Sequence, residues 1–306
     1  MSMRRILLGA ALAVSLVLTP LVAPAAAHAA TTNLTAGTAP GPGSYTYRGT
    51  GALAGHSVKV WYNVPSRSLG ALKNAKIHFV MHGMSRTAES YRNTWIPLLA
   101  KKNVLLITPE FSASQFPGSR TYNQGSVLDS HGRLQPRAAW SFSMIEAVFD
   151  DVVKRVHSTQ KNYTIFGHSA GGQFVERFVE LMPKARVRQA VAANPGWHTM
   201  PDPAAAYPYG LKNLPTGRAD LNVAFTRNFT LLLGADDIDP NAADLQRDSK
   251  TDTQGITRLA RGLKFYAAAR TYAGLSRPFN WKLGVIPGVG HSHKGAATAA
   301  APLLFP

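Results

Sequence analysis

Residues 167–171 read Gly-His-Ser-Ala-Gly, between an apolar run, Tyr163-Thr164-Ile165-Phe166, and a helical pattern that opens near Gly171. A strand that becomes a helix within so few residues has no room for side chains on either side of the bend, so glycines bracket Ser169. The same bend strains the Ser169 backbone, lifts its hydroxyl above the sheet and turns the Ala170 N–H toward the same point. The five-residue pattern is common by chance and also fits an ordinary surface turn. The strand before it and the helix after it make it specific here.

The rest of the chain repeats the strand-then-helix pattern. Val58–Tyr62 alternates like a half-buried strand, whereas Ile77–Met81 and Val104–Ile107 are near-continuous apolar runs suited to strands buried on both faces. Similar runs stand at 163–166, 188–192, 230–233 and 281–285. Between them, Phe142, Ile145, Val148, Phe149, Val152 and Val156 form one apolar stripe at helical spacing, with Ser143 and Glu146 as a capping box. Residues 171–182 and 255–272 also read as helices. The alternation predicts an α/β fold with a mostly parallel central sheet flanked by helices, in a single domain over 45–306. The long irregular stretches 110–138 and 194–227 are expected to serve function.

Of the 306 residues, 45% are hydrophobic and only 16% charged, which is enough apolar material for a sizeable core. There is no Cys, which excludes disulfides, thiolate metal sites and a cysteine nucleophile. The balance of 33 Lys+Arg against 16 Asp+Glu gives a net charge of +17. The excess is scattered, with Lys101, Lys154 and Arg261 read as solvated helix faces, so no nucleic-acid partner is expected. An anionic surface or polymer remains as a partner, held by an attraction that salt weakens. At the N-terminus, Arg4-Arg5, the apolar run Ile6–Leu18, the breaks at Pro20 and Pro24, and Ala27-His28-Ala29 predict a signal peptide over 1–29 and a secreted product with no membrane span. Met3 after Ser2 favours the general secretory route over twin-arginine export. Residues 30–44, rich in Thr, Ala, Gly and Pro, read as a flexible leader.

A serine hydroxyl needs a base to take its proton. His291, in the Gly-rich segment after the last apolar run, is the expected base, with His293 as the alternative. The two histidines could also form a metal pair, but no Cys or acidic motif accompanies them, so no metal is expected. An acid must orient the imidazole. Asp237 is chosen from Asp236, Asp237 and Asp239, which all follow the run 230–233. The chain order is then Ser169, Asp237, His291. Two backbone donors are expected for an oxyanion: the N–H of Ala170, and that of Met84 after the strand ending in Met81-His82-Gly83. His82 is read as bracing its loop. Trp197, Phe111 and Tyr207, with Phe116 and Tyr209, are candidates to line an aromatic cleft; their bland reading is loop packing.

His82-Gly83-Met84, Gly167-His168-Ser169-Ala170-Gly171-Gly172, Gly234-Ala235-Asp236-Asp237 and Gly288-Val289-Gly290-His291 together resemble secreted bacterial α/β-hydrolases of the polyhydroxybutyrate depolymerase and feruloyl-esterase-like group. The resemblance implies the α/β-hydrolase fold and a serine esterase that works through an acyl-enzyme with no cofactor. It implies as substrate a polyester, or a bulky hydrophobic or aryl ester. The chain departs from many secreted depolymerases in lacking Cys, and it ends soon after His291, which predicts no separate polymer-binding domain. Two alternatives stand beside this reading: a serine peptidase of the same fold, and a non-catalytic cationic binding protein.

Overall fold

The computed structural model describes residues 33–306, so the segment read as a signal peptide lies outside the described residues. The strands are β1 (Gly41–Arg48), β2 (Ser57–Val64), β3 (Lys76–Met81), β4 (Val104–Glu110), β5 (Tyr163–His168), β6 (Val187–Ala193), β7 (Asn228–Gly234) and β8 (Lys282–Ile286). They form one sheet in the order β1-β2-β4-β3-β5-β6-β7-β8. The β1–β2 and β2–β4 pairs are antiparallel, and every pair from β4 to β8 is parallel. The helices are α1 (Ala88–Leu98), α2 (Gly118–Thr121), α3 (Ser143–Val156), α4 (Ala170–Leu181), α5 (Arg218–Thr226), α6 (Arg258–Ala273) and α7 (His293–Leu304).

Both faces of the sheet are covered. Ile77, Phe79 and Met81 of β3 join a core with residues of α3, α4, α5 and α6. Val80, between them, packs instead with Tyr91 and Trp95 of α1 and with Ala296, Ala300 and Leu304 of α7. Alternate residues thus meet different helix layers, which is why the central strands read as unbroken apolar runs. All seven strand runs expected from the sequence are present, as β2 to β8.

The structure differs from the sequence reading at several places. Strand β1 starts inside the segment read as a leader, and Leu34 in that segment is buried. Gly43 sits opposite Tyr62, whose ring occupies the space where a Gly43 side chain would stand. Backbone pairing and a neighbour's ring define this strand, so its own apolar pattern is weak. The capping box at Ser143 does not form: the Ser143 hydroxyl donates to Arg137 O, and the Glu146 carboxylate takes the Arg186 N–H and Nε. Helix α5 lies within the stretch 194–227 read as irregular, and α1 and α7, neither read from sequence, cover the second face.

Every residue of α4, the helix that opens at the Ser-Ala-Gly bend, is buried, including Glu176, Arg177 and Glu180. Arg177 is tied to Thr199 Oγ1 (2.9 Å) and Gln173 Oε1 (3.1 Å). Neither carboxyl oxygen of Glu180 has a hydrogen-bond partner among the described residues. Burial, and then the charge of Glu176, push its carboxyl well above the ordinary range, against the pull of Arg177. The folded protein therefore favours protonated Glu180, whereas the unfolded chain ionises it above an ordinary glutamate pKa. Stability is lost as pH rises from that value toward the raised one. Glu180→Gln is expected to melt higher than wild type at pH 8 and to converge with it near pH 4. Thermal denaturation across that range checks this, and a variant that melts lower at pH 8 would show a carboxylate already satisfied by Arg177.

Candidate active site

Ser169 stands between β5 and α4 with φ 57° and ψ −120°. Backbone of this kind costs a residue with a Cβ about 1–3 kcal/mol and persists only where its surroundings over-determine it. Here the Ser169 N–H donates to Ala193 O (3.0 Å), and Ser169 O accepts from the Gln173 N–H (2.9 Å). A methyl on Gly167 would lie 2.1 Å from Gly171 O, and one on Gly171 would lie 2.2 Å from Met81 O. Backbone touches backbone on both sides of the serine. The loop leaving β3 is equally near, since a Cβ on Gly83 would sit 3.8 Å from the Ser169 Cβ. The Ala170 N–H, first in α4, has no acceptor within its own helix. Met84, next to Gly83, is exposed.

His291, from the loop between β8 and α7, lies beside this bend, its ring 4.6 Å from that of His168. Its Nδ1 is 2.7 Å from Asp237 Oδ2. That contact places the ring proton on Nδ1 and leaves Nε2 basic. Nε2 is buried and has no hydrogen-bond partner among the described residues. Asp237 follows β7 and is buried. Its Oδ2 also accepts from Asn194 Nδ2 (2.7 Å), and its Oδ1 pairs with Arg258 Nη1 (3.2 Å). Burial alone would raise this carboxyl. The His291 hydrogen bond and charge, then Arg258 and Asn194, hold it below the usual carboxylate range instead.

The alternatives fall elsewhere. His293 stacks on Tyr91 at 4.6 Å and its Nε2 meets Thr94 Oγ1 at 3.2 Å, so the two histidines diverge. Among the described residues no group of three or more His, Cys, Asp or Glu could hold a metal ion. Asp236 and Asp239 are exposed, and Asp239 Oδ1 accepts the Asn241 N–H in a local turn. His82 takes the Phe111 N–H on Nε2 (3.0 Å) and has Nδ1 2.9 Å from Gly83 O. Burial lowers its pKa to about 3, so it is a neutral brace for the loop that carries Met84.

No family model and no curated protein sequence matches the chain. Among solved structures, poly(aspartic acid) hydrolase-1 from Sphingomonas sp. KT-1 is 45% identical, over 88% of this chain and 100% of that one, with a TM-score of 0.83. This chain belongs to that hydrolase's family. The poly(3-hydroxybutyrate) depolymerase LpqC from Bordetella parapertussis is 29% identical over 87% of this chain and 89% of its own, with a TM-score of 0.81. An S-formylglutathione hydrolase from Agrobacterium tumefaciens, 15% identical with a TM-score of 0.55 over 86% and 93% of the two chains, shares the fold. The chain is thus an α/β-hydrolase of the depolymerase and esterase-like group, a serine hydrolase. No helix among the described residues is long and apolar enough to cross a membrane.

Of the aromatic residues expected to line a cleft, Phe111, Phe116, Trp197 and Tyr207 of this hydrolase are buried and Tyr209 is half-buried. Phe111 is fully buried against Phe116, Tyr122 and Phe174. Tyr207 donates its hydroxyl to Gln124 O (2.6 Å), and Trp197 is held between the Arg177 guanidinium and Tyr209. The loops need their own core, and these rings supply it. A cavity of about 450 Å³ lies elsewhere, bounded by Met200, Lys264, Ala268 and Tyr272 among others. Arg261, read as solvated, is buried and donates to Gly196 O and Gly255 O.

Three residues of the site had no sequence signal. Asn194 (φ 44°) accepts the Gly234 N–H on Oδ1 and donates from Nδ2 to Asp237 and to Gly290 O. It joins the exits of β6, β7 and β8. Arg258 sits among scattered basic residues in sequence, yet it is buried and bridges Asp237 and Asp244. Asp244 lies in a polar segment with no pattern of its own.

Proposed function

We propose that this hydrolase cleaves the main chain of a polymer through an acyl-enzyme on Ser169. The Ser169 hydroxyl oxygen attacks the substrate carbonyl carbon while His291 Nε2 takes the hydroxyl proton. The Ala170 and Met84 N–H groups hold the oxyanion. The intermediate collapses to the acyl-serine, and His291 returns its proton to the departing alcohol or amine. Water, deprotonated by His291, then attacks the acyl group, and Ser169 leaves with its proton restored. The observation that carries this reading is the 2.7 Å Asp237–His291 contact, with the His291 ring 4.6 Å from that of His168, the residue before a serine held at φ 57°. Such an arrangement keeps one imidazole nitrogen basic and stabilises the imidazolium when it forms.

Two relatives name two polymers. Poly(3-hydroxybutyrate) is a neutral polyester, in line with the ester substrate that the motifs imply. Poly(aspartic acid) is a polyamide with a carboxylate on each unit, and the relative that acts on it is the more similar one. The excess of Lys and Arg over Asp and Glu favours the acidic polymer, since it concentrates a polyanion at the surface. Residues 1–29, read as a signal, would carry the enzyme out to such a substrate.

The test is a panel of a neutral chromogenic ester, a poly(3-hydroxybutyrate) film and soluble poly(aspartic acid), with Ser169→Ala alongside. Wild type is expected to cleave the ester and to shorten poly(aspartic acid), the latter more slowly as salt rises. Erosion of the film with poly(aspartic acid) left intact would move the assignment to the polyester. Polymer retained on the protein without cleavage of any substrate would favour a binding protein.

A further inference from the structure

The Asp237–His291 pair is one half of a closed ring of charges. Arg258, buried at the start of α6, donates Nη1 to Asp237 Oδ1 (3.2 Å) and Nη2 to Asp244 Oδ1 (2.6 Å). The other oxygen of Asp244, Oδ2, lies 3.6 Å from His291 Nε2. A carboxylate therefore stands at each nitrogen of the imidazole, and one guanidinium joins the two. They differ in setting, since the Asp237 side chain is 4% exposed and that of Asp244 62%. Resting on the reading of His291 as base, we infer that Asp244 is a second positioning acid, one that acts only when the imidazole is charged.

The argument is differential. Neutral His291 presents a lone pair at Nε2, to which a carboxylate oxygen at 3.6 Å offers no hydrogen bond. Once Nε2 has taken the serine proton, the same oxygen faces an N–H bearing positive charge. Attraction then appears where it was absent, and an interaction present only after proton transfer speeds the reaction without tightening substrate binding. Arg258 orients the Asp244 carboxylate. Exposure keeps the effect moderate, because water screens the pair. The other charged or titratable groups around the imidazole are Asp237 at Nδ1, His168 at the end of β5 and, beyond it, His293 on α7 and Tyr91 on α1. Burial first, then the charges of His291, His293 and Arg258, hold His168 well below the usual histidine range, so it supplies no compensating charge at neutral pH.

The experiment is the pH profile of kcat/KM for a neutral chromogenic ester with wild type, Asp244→Asn and Asp244→Glu. Asp244→Asn is expected to move the acid limb to lower pH and to reduce kcat about 3- to 10-fold, with KM within about twofold. High salt should narrow the gap to wild type, and Asp244→Glu should recover part of the loss. An Asp244→Asn profile that superimposes on wild type overturns the inference. Ser169→Ala run in parallel separates the two readings. Activity lost in Ser169→Ala with an unmoved acid limb in Asp244→Asn refutes the Asp244 role alone. Activity retained in Ser169→Ala refutes the serine reading and the Asp244 role together.

Discussion

Ser169→Ala is expected to lower kcat/KM on a soluble ester by about 10⁴- to 10⁶-fold while the protein stays folded. The exchange removes one oxygen from a half-buried side chain and leaves the backbone bonds to Ala193 O and from Gln173 N–H in place. The melting temperature should therefore stay within a few degrees of wild type. His291→Ala should cost about as much, and the double variant little more than either single one, because the two groups move the same proton. Steady-state kinetics with matched circular dichroism decides the matter. A Ser169→Ala protein that still turns over ester at the wild-type rate would remove the nucleophile from the proposal.

Gly171→Ala is expected to be among the most damaging small substitutions. Its methyl would lie 2.2 Å from Met81 O and 2.7 Å from His82 O, both backbone atoms. No rotamer relieves such a clash, so α4 must move away from the end of β3. We expect a loss of about 3 kcal/mol, or a melting temperature lower by roughly 6–12 °C. Activity should fall by about 100-fold even where the fold survives, since the shift separates the Ala170 N–H from the Met84 loop. Gly217→Ala is the control: an added methyl there meets nothing within 4 Å, and the change should stay within about 0.5 kcal/mol. Equal melting temperatures for Gly171→Ala and Gly217→Ala would show that the close approach is not rigid.

The strand runs were legible because a sheet covered on both faces leaves an unmistakable mark, as Ile77–Met81 and Thr230–Leu233 show. The bend at Ser169 was legible because its neighbours must be glycine. Helix α7 was not, since a short run of alanines with Pro302 carries little periodic contrast, and its packing against Trp95 and Val80 joins segments far apart in the chain. The aromatic residues misled for a related reason. Phe111 and Trp197 lie in long segments after strands, where cleft walls and loop cores have the same composition, and only burial tells them apart.

Local pattern thus settles which segments become strands, where the chain must bend sharply, and that a serine, an acid and a histidine follow one another at strand ends. Periodicity and steric exclusion act over a few neighbours, so they leave their record in the order of residues. Which aspartate meets the imidazole, and that Asn194, Arg258 and Asp244 surround the pair, was decided by folding. Those contacts join the exits of β6, β7 and β8 and the start of α6, and a hydrogen bond between distant segments imposes no spacing that a single chain would display.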